Sequence, residues 1–98
     1  MYVVKCYPLR FRGFGITRQQ IEFPVNSRIL SVGLNRFGSE QGKACLWALI
    51  DKDSKEFCWV KIVMILDDID SKDIGTYSFV GTVKDVVPFH VFYKRDRE

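Results

Sequence analysis

The sequence predicts a nearly all-β fold: a small antiparallel β-sandwich or partly open barrel of about six to eight short strands. Three observations carry this. Apolar and polar residues alternate with a period of two through most of the chain, and no window of ten or more residues shows a helical period. Phe, Tyr and Trp make up 14% of the 98 residues, and these are strand formers that bury large areas. The third observation is the run Ala44-Cys45-Leu46-Trp47-Ala48-Leu49-Ile50, bounded by Lys43 and Asp51. Seven apolar residues are too few to span a membrane and suit a strand buried on both faces, at the centre of a sheet.

The other elements follow in order. Residues 2–10 are β-prone, and Pro8 places them at an edge or a strand end. Gly13 and Gly15 bracket Phe14 in a turn or bulge; without a third glycine and a following helix they are no phosphate loop. Gln20 to Phe23 alternates and stops at Pro24, and Asn26-Ser27 turns the chain. Residues 28–36 set Leu30, Val32 and Leu34 on one face and Ser31, Gly33 and Asn35 on the other. Residues 37–42 read as a loop, and Asp51 to Ser54 as a polar turn. From Cys58 to Leu66 every even position is apolar. Residues 28–66 are therefore expected to form a three-stranded meander with 44–50 in the middle. An acidic segment, 67–73, leads to two further strands around 77–83 and 87–93. The expected organisation is one β domain, 1–93, and a polar, fraying tail, 94–98.

Charge is mild but uneven. The net +3 divides into +5 over residues 1–43 and −2 over 44–98. A basic first half either favours an anionic partner or is an ordinary solvated surface. Cys6, Cys45 and Cys58 are an odd number of thiols with no CxxC and no signal-peptide pattern, which points to reduced, structurally buried cysteines in a cytosolic setting. No metal site is expected: zinc would need all three cysteines and the sole histidine, and the acidic strings at 51–56 and 67–73 both fail the calcium-loop pattern. His90 has no nucleophile motif around it and reads as a surface or ring-packed histidine, so neither a catalytic residue nor a cofactor is expected.

The candidate binding residues are Arg10, Arg12, Arg28, Arg36, Trp47, Trp59 and Lys61. Arg10-Phe11-Arg12-Gly13-Phe14 interleaves cations with aromatic rings, a composition suited to single-stranded nucleic acid. Trp47 and Trp59 are expected on adjacent strands. There they are either paired core aromatics or, with Lys61, a shelf for a stacked base or a partner side chain.

Several strings taken in order, Ile21-Glu22-Phe23-Pro24, Ile29-Leu30-Ser31-Val32, Cys45 to Asp51, Ile74-Gly75-Thr76 and His90-Val91-Phe92, resemble a family of small phage and prophage proteins of unassigned function. The family's Gly-Thr-Gly-His-like string is replaced here by Val63-Met64-Ile65-Leu66. The resemblance implies a non-enzymatic accessory protein in the cytoplasm of an infected bacterium, without membrane attachment, which binds a host or defence-system protein. The alternatives are a sponge for an anionic nucleotide signal, with a closed pocket at a homo-oligomer interface, and single-stranded nucleic-acid binding.

Overall fold

The computed structural model describes residues 1–36 and 43–96. Within them lie seven strands: β1 (Tyr2–Pro8), β2 (Ile16–Pro24), β3 (Arg28–Leu34), β4 (Ala44–Asp51), β5 (Phe57–Leu66), β6 (Ser78–Val83) and β7 (Phe89–Arg95). They form two antiparallel sheets, β1-β4-β3 and β2-β5-β7-β6, packed face to face as a sandwich. The loop expected at 37–42 lies outside the described residues.

The predicted class is what forms, but the meander is not. β4 does occupy the middle of its sheet, between β1 and β3. β5 leaves that sheet and pairs with β2 and β7 in the other. The polar link 52–56 is therefore a sheet-to-sheet crossing and not a hairpin turn. Its geometry is set by Asp51, whose side chain accepts the Asp53 N–H while its carbonyl accepts the Ser54 N–H. Alternation tells which side chains a strand buries, but not which sheet it joins.

The core lies between the sheets. β4 contributes Ala44, Leu46, Ala48 and Ile50, and β5 contributes Val60, Ile62 and Met64. Leu9, Phe23 from β2, Val83 from β6, and Phe89 and Val91 from β7 complete it. Two ring contacts stitch its ends: Tyr7 meets Phe23 at 4.5 Å across the two sheets, and Phe11 stacks on Phe89 at 4.2 Å. β3 departs from its predicted alternation. A register shift between Ile29 and Ser31 turns Leu30 out to solvent, while Ile29, Val32 and Leu34 pack against the core.

Strand β7 runs two residues into the stretch expected to fray. Arg95 pairs with Val60, and its guanidinium donates to the Ser27 carbonyl at 2.6 Å, tying the end of β7 to the β2–β3 turn. Gly13 has φ +91 between β1 and β2, where an L side chain is strained. Gly13→Ala is expected to lower the unfolding free energy by about 1–2 kcal/mol, measurable by urea denaturation.

Candidate functional site

The two outer faces of the sandwich differ. On β5 the even residues point inward, so Phe57, Trp59, Lys61, Val63 and Ile65 point outward from the four-stranded sheet. The register sets these residues in rows across the neighbouring strands. Lys61 stands between Gln20 on β2 and Lys94 on β7. Val63 stands between Arg18 and Phe92, and Trp59 beside Glu22.

Val63 is 1% exposed although it faces away from the core. The acidic connection between β5 and β6 folds back over it. This strap is tied down at three points. Arg18 grips Asp73 in a two-pronged ion pair, Nη2 to Oδ1 at 3.0 Å and Nη1 to Oδ2 at 3.2 Å. Lys94 donates to the Thr76 hydroxyl at 3.3 Å and lies over the Tyr77 ring. His90 bridges the third point, with Thr82 Oγ1 2.9 Å from Nδ1 and Asp67 on Nε2. Since an ionised carboxylate only accepts, Nε2 carries the proton and donates to Asp67. Asp68, which follows, has φ +60, a conformation aspartate adopts more readily than most residues.

Asp67, His90 and Thr82 thus have the order of an acid–base–hydroxyl set. Neither groove described below includes any of them. The arrangement fastens the strap to β6 and β7. It was not legible in the sequence, because strand pairing and the returning strap bring its members together over 23 residues of chain.

Hydrogen bonds from Arg18 hold the Asp73 carboxyl below its ordinary value of 3.8, with Ser71 adding to the effect. The pair raises the Arg18 guanidinium in turn. A lowered carboxyl pKa stabilises the fold fully above 3.8 and loses that contribution as pH falls through the lowered value. Asp73→Asn is therefore expected to speed amide exchange of residues 69–76 severalfold at neutral pH. The difference from the unsubstituted protein should shrink as pH falls through the lowered value, where Asp73 becomes protonated in the folded state as well.

Beside the strap lies a groove of about 360 Å³, lined by Arg18, Gln20, Lys61, Val63, Asp73 and Tyr77 among others. A second groove of about 390 Å³ shares Arg18, Gln19 and Gln20 and continues to Arg10 and Arg12. Together they form one open basic path around the β2 edge. Arg12 is pre-oriented on it: its guanidinium donates to the Ile16 carbonyl at 2.6 Å and lies over Phe14. Among the described residues Lys61 forms no ion pair or hydrogen bond, and directly across from it stands a second cation, Lys94.

The structure divides the sequence-predicted residues into two groups. Arg10, Arg12 and Lys61 line this path, and Trp59 stands two residues from Lys61 on the same outer face of β5, outside both grooves. Arg28, Arg36 and Trp47 belong to the three-stranded sheet and its end. Trp47 points out of that sheet over Gly33, where an added Cβ would lie 3.6 Å from its ring. Trp47 and Trp59 thus sit on opposite outer faces, and the expected shelf between them does not exist. The reason is the same sheet change that breaks the meander. Arg18, Gln20, Tyr77 and Lys94 were missed. The phase of β2, with Ile21 and Phe23 inward, implies Arg18 and Gln20 outward, whereas Tyr77 and Lys94 needed the fold.

The described residues contain no group of three or more His, Cys, Asp or Glu side chains placed to hold a metal ion. No helix among them is long and apolar enough to cross a membrane. Of the three cysteines only Cys45 is fully buried. The expectation that all three are buried is corrected by Cys6 and Cys58, which lie partly exposed.

Fold and surface together define a class: a seven-stranded, two-sheet β domain with an open basic and aromatic face. The chain belongs to a family described as a domain of unknown function (DUF7352), whose model matches residues 4–98. No curated protein and no solved structure matches it.

Proposed function

We propose that this protein is a non-enzymatic binding protein that captures an acidic segment of a partner protein on the outer face of its four-stranded sheet. The observation that carries this is the pairing of Trp59, 48% exposed near the start of β5, with Lys61 two residues on, which has no partner among the described residues. An exposed Trp close to cationic side chains is the composition of interaction hot spots. Arg18, Lys94, Arg10 and Arg12 extend the positive potential on either side. Glu22 and Asp73 interleave acids with these bases, which suits a protein surface better than a polyanion.

The resemblance of the chain to phage proteins supports the finer reading. In it the partner is a host or anti-phage defence factor, bound and inhibited in the cytoplasm of the infected bacterium. The test is capture from bacterial lysate on immobilised protein, with a Trp59→Ala/Lys61→Glu double variant as control. A partner retained stoichiometrically by the unsubstituted protein and lost by the variant supports the reading. Equal retention by both excludes this face.

A second reading, sequestration of an anionic nucleotide, is favoured by the Tyr77 ring standing beside Lys94 and Lys61. It predicts a rise in melting temperature with saturating nucleotide, absent in Lys61→Glu. The groove is open and not the closed pocket that reading called for. Single-stranded nucleic acid is tested on the same path by oligonucleotide titration against salt, where phosphate contacts would give a steep dependence.

A further inference from the structure

Two sheets leave four edge strands: β1 and β3 on one, β2 and β6 on the other. An exposed edge is a template for pairing with another strand, and proteins blunt such edges with bulges, charges or covering segments. Three of the four are blunted here. β3 is interrupted between Ile29 and Ser31, and β6 between Phe79 and Gly81. β2 carries Arg18, Gln20 and Glu22 and is capped by the segment before it. There the Arg10 N–H donates to Gln19, the Arg12 N–H to Thr17 and the Arg12 guanidinium to the Ile16 carbonyl.

Among the described residues β1 has neither a bulge nor a covering segment, and only a single charge along its length. Its register with β4 is unbroken from Tyr2 to Pro8, and Lys5 is its one charged side chain. Tyr2 and Val4 are 56% and 59% exposed. The backbone groups it offers can be assigned. The Met1 carbonyl accepts from Lys52 and the Leu9 N–H donates to Ala44, so odd residues of β1 bond to β4. Tyr2, Val4 and Cys6 therefore turn their N–H and C=O groups outward.

We propose that the occupant of this edge is a second copy of the chain. The two β1 strands pair antiparallel with Val4 on the two-fold axis, joining the three-stranded sheets into one of six. This register sets Val4 against the partner's Val4 and Tyr2 against the partner's Cys6. It is the arrangement that uses all three outward-facing residues of each strand. Charge selects it as well. Lys5 falls opposite the partner's Val3, whereas sliding by two residues one way would oppose the two lysines and bring in Pro8, which has no N–H. A strand with one charge gives no footing to a strongly acidic guest, and its apolar side chains suit its own copy. The apolar surface comes mainly from Tyr2, Val3 and Val4, well short of the roughly 800 Å² per partner of a standard interface. The dimer is accordingly weak and concentration-dependent.

The experiment is analytical ultracentrifugation of the full chain and of Val4→Pro. The Val4 N–H is not used within the fold, so proline there removes an outward donor from an edge strand and leaves the β4 ladder intact. The unsubstituted protein is expected to move from monomer toward dimer mass between about 10 μM and 1 mM, the range of a sub-standard interface. Val4→Pro should remain monomeric with an unchanged circular-dichroism spectrum. Should that variant misfold, Val4→Lys supplies the same test, since it places two lysines on the axis. A monomer at the highest concentration, or equal dimerisation of a folded variant, overturns the proposal. Partner capture by the opposite sheet is unaffected by either substitution, so the two proposals fail separately.

Discussion

Phe23→Ala is expected to destabilise this domain by about 3–5 kcal/mol, the usual cost of removing a buried ring. Phe23 is 0% exposed at the end of β2, and its ring meets Tyr7 of the opposite sheet. The loss therefore combines transfer free energy, a cavity and the contact that seats the end of β1. Domains of this size hold only about 5–15 kcal/mol in total, so the substitution removes about a fifth or more of the stability. The melting temperature should fall by about 12–40 °C, at roughly 4–8 °C per kcal/mol. Phe79→Ala is the control. Phe79 is 58% exposed and meets Phe92 on the outer face, and its loss should cost less than about 1 kcal/mol. Urea denaturation of both variants decides the matter: comparable losses would mean that the core does not lie between the two sheets as described.

The second large effect concerns binding. Trp59→Ala is expected to weaken capture of the partner by about 30-fold or more, equivalent to 2 kcal/mol, the threshold of a hot-spot residue. Lys61→Glu should act in the same direction and reduce the salt dependence of association, because it reverses a groove cation that has no partner among the described residues. Neither substitution removes a core contact, so stability should stay within about 0.5 kcal/mol. Trp47→Ala and Arg28→Glu are informative controls, since both residues face out of the other sheet. Titration calorimetry with the captured partner measures all four. Loss of affinity in the Trp47 and Arg28 variants with none in the Trp59 and Lys61 variants would move the binding face to the three-stranded sheet.

The dependence of these outcomes on sheet membership shows where sequence reading reaches its limit. The alternation of β5 already told that Trp59 and Lys61 share a face and that Val60, Ile62 and Met64 share the other. It could not tell that this face belongs to a different sheet from Trp47. The link of residues 52–56 permits either a hairpin or a crossing, and pairing energy between strands distant in sequence makes the choice. The strap is a second case. Its acidic residues read as a solvated connection until Arg18, Lys94 and His90 are seen beneath it, each brought there by β2 or β7.

What the sequence by itself determined is local and periodic: an all-β chain, most strands as segments, the inward residues of regular strands such as β5, and 44–50 as a largely buried strand. These follow from side-chain alternation and turn chemistry, which act over a few residues. The tertiary structure alone decided which strands are neighbours, that β4 sits between β1 and β3, and that a basic path forms around the β2 edge. It alone also left β1 as the edge with neither bulge nor cover among the described residues. Those features arise from contacts between residues far apart in the chain, whose pairing no local pattern encodes.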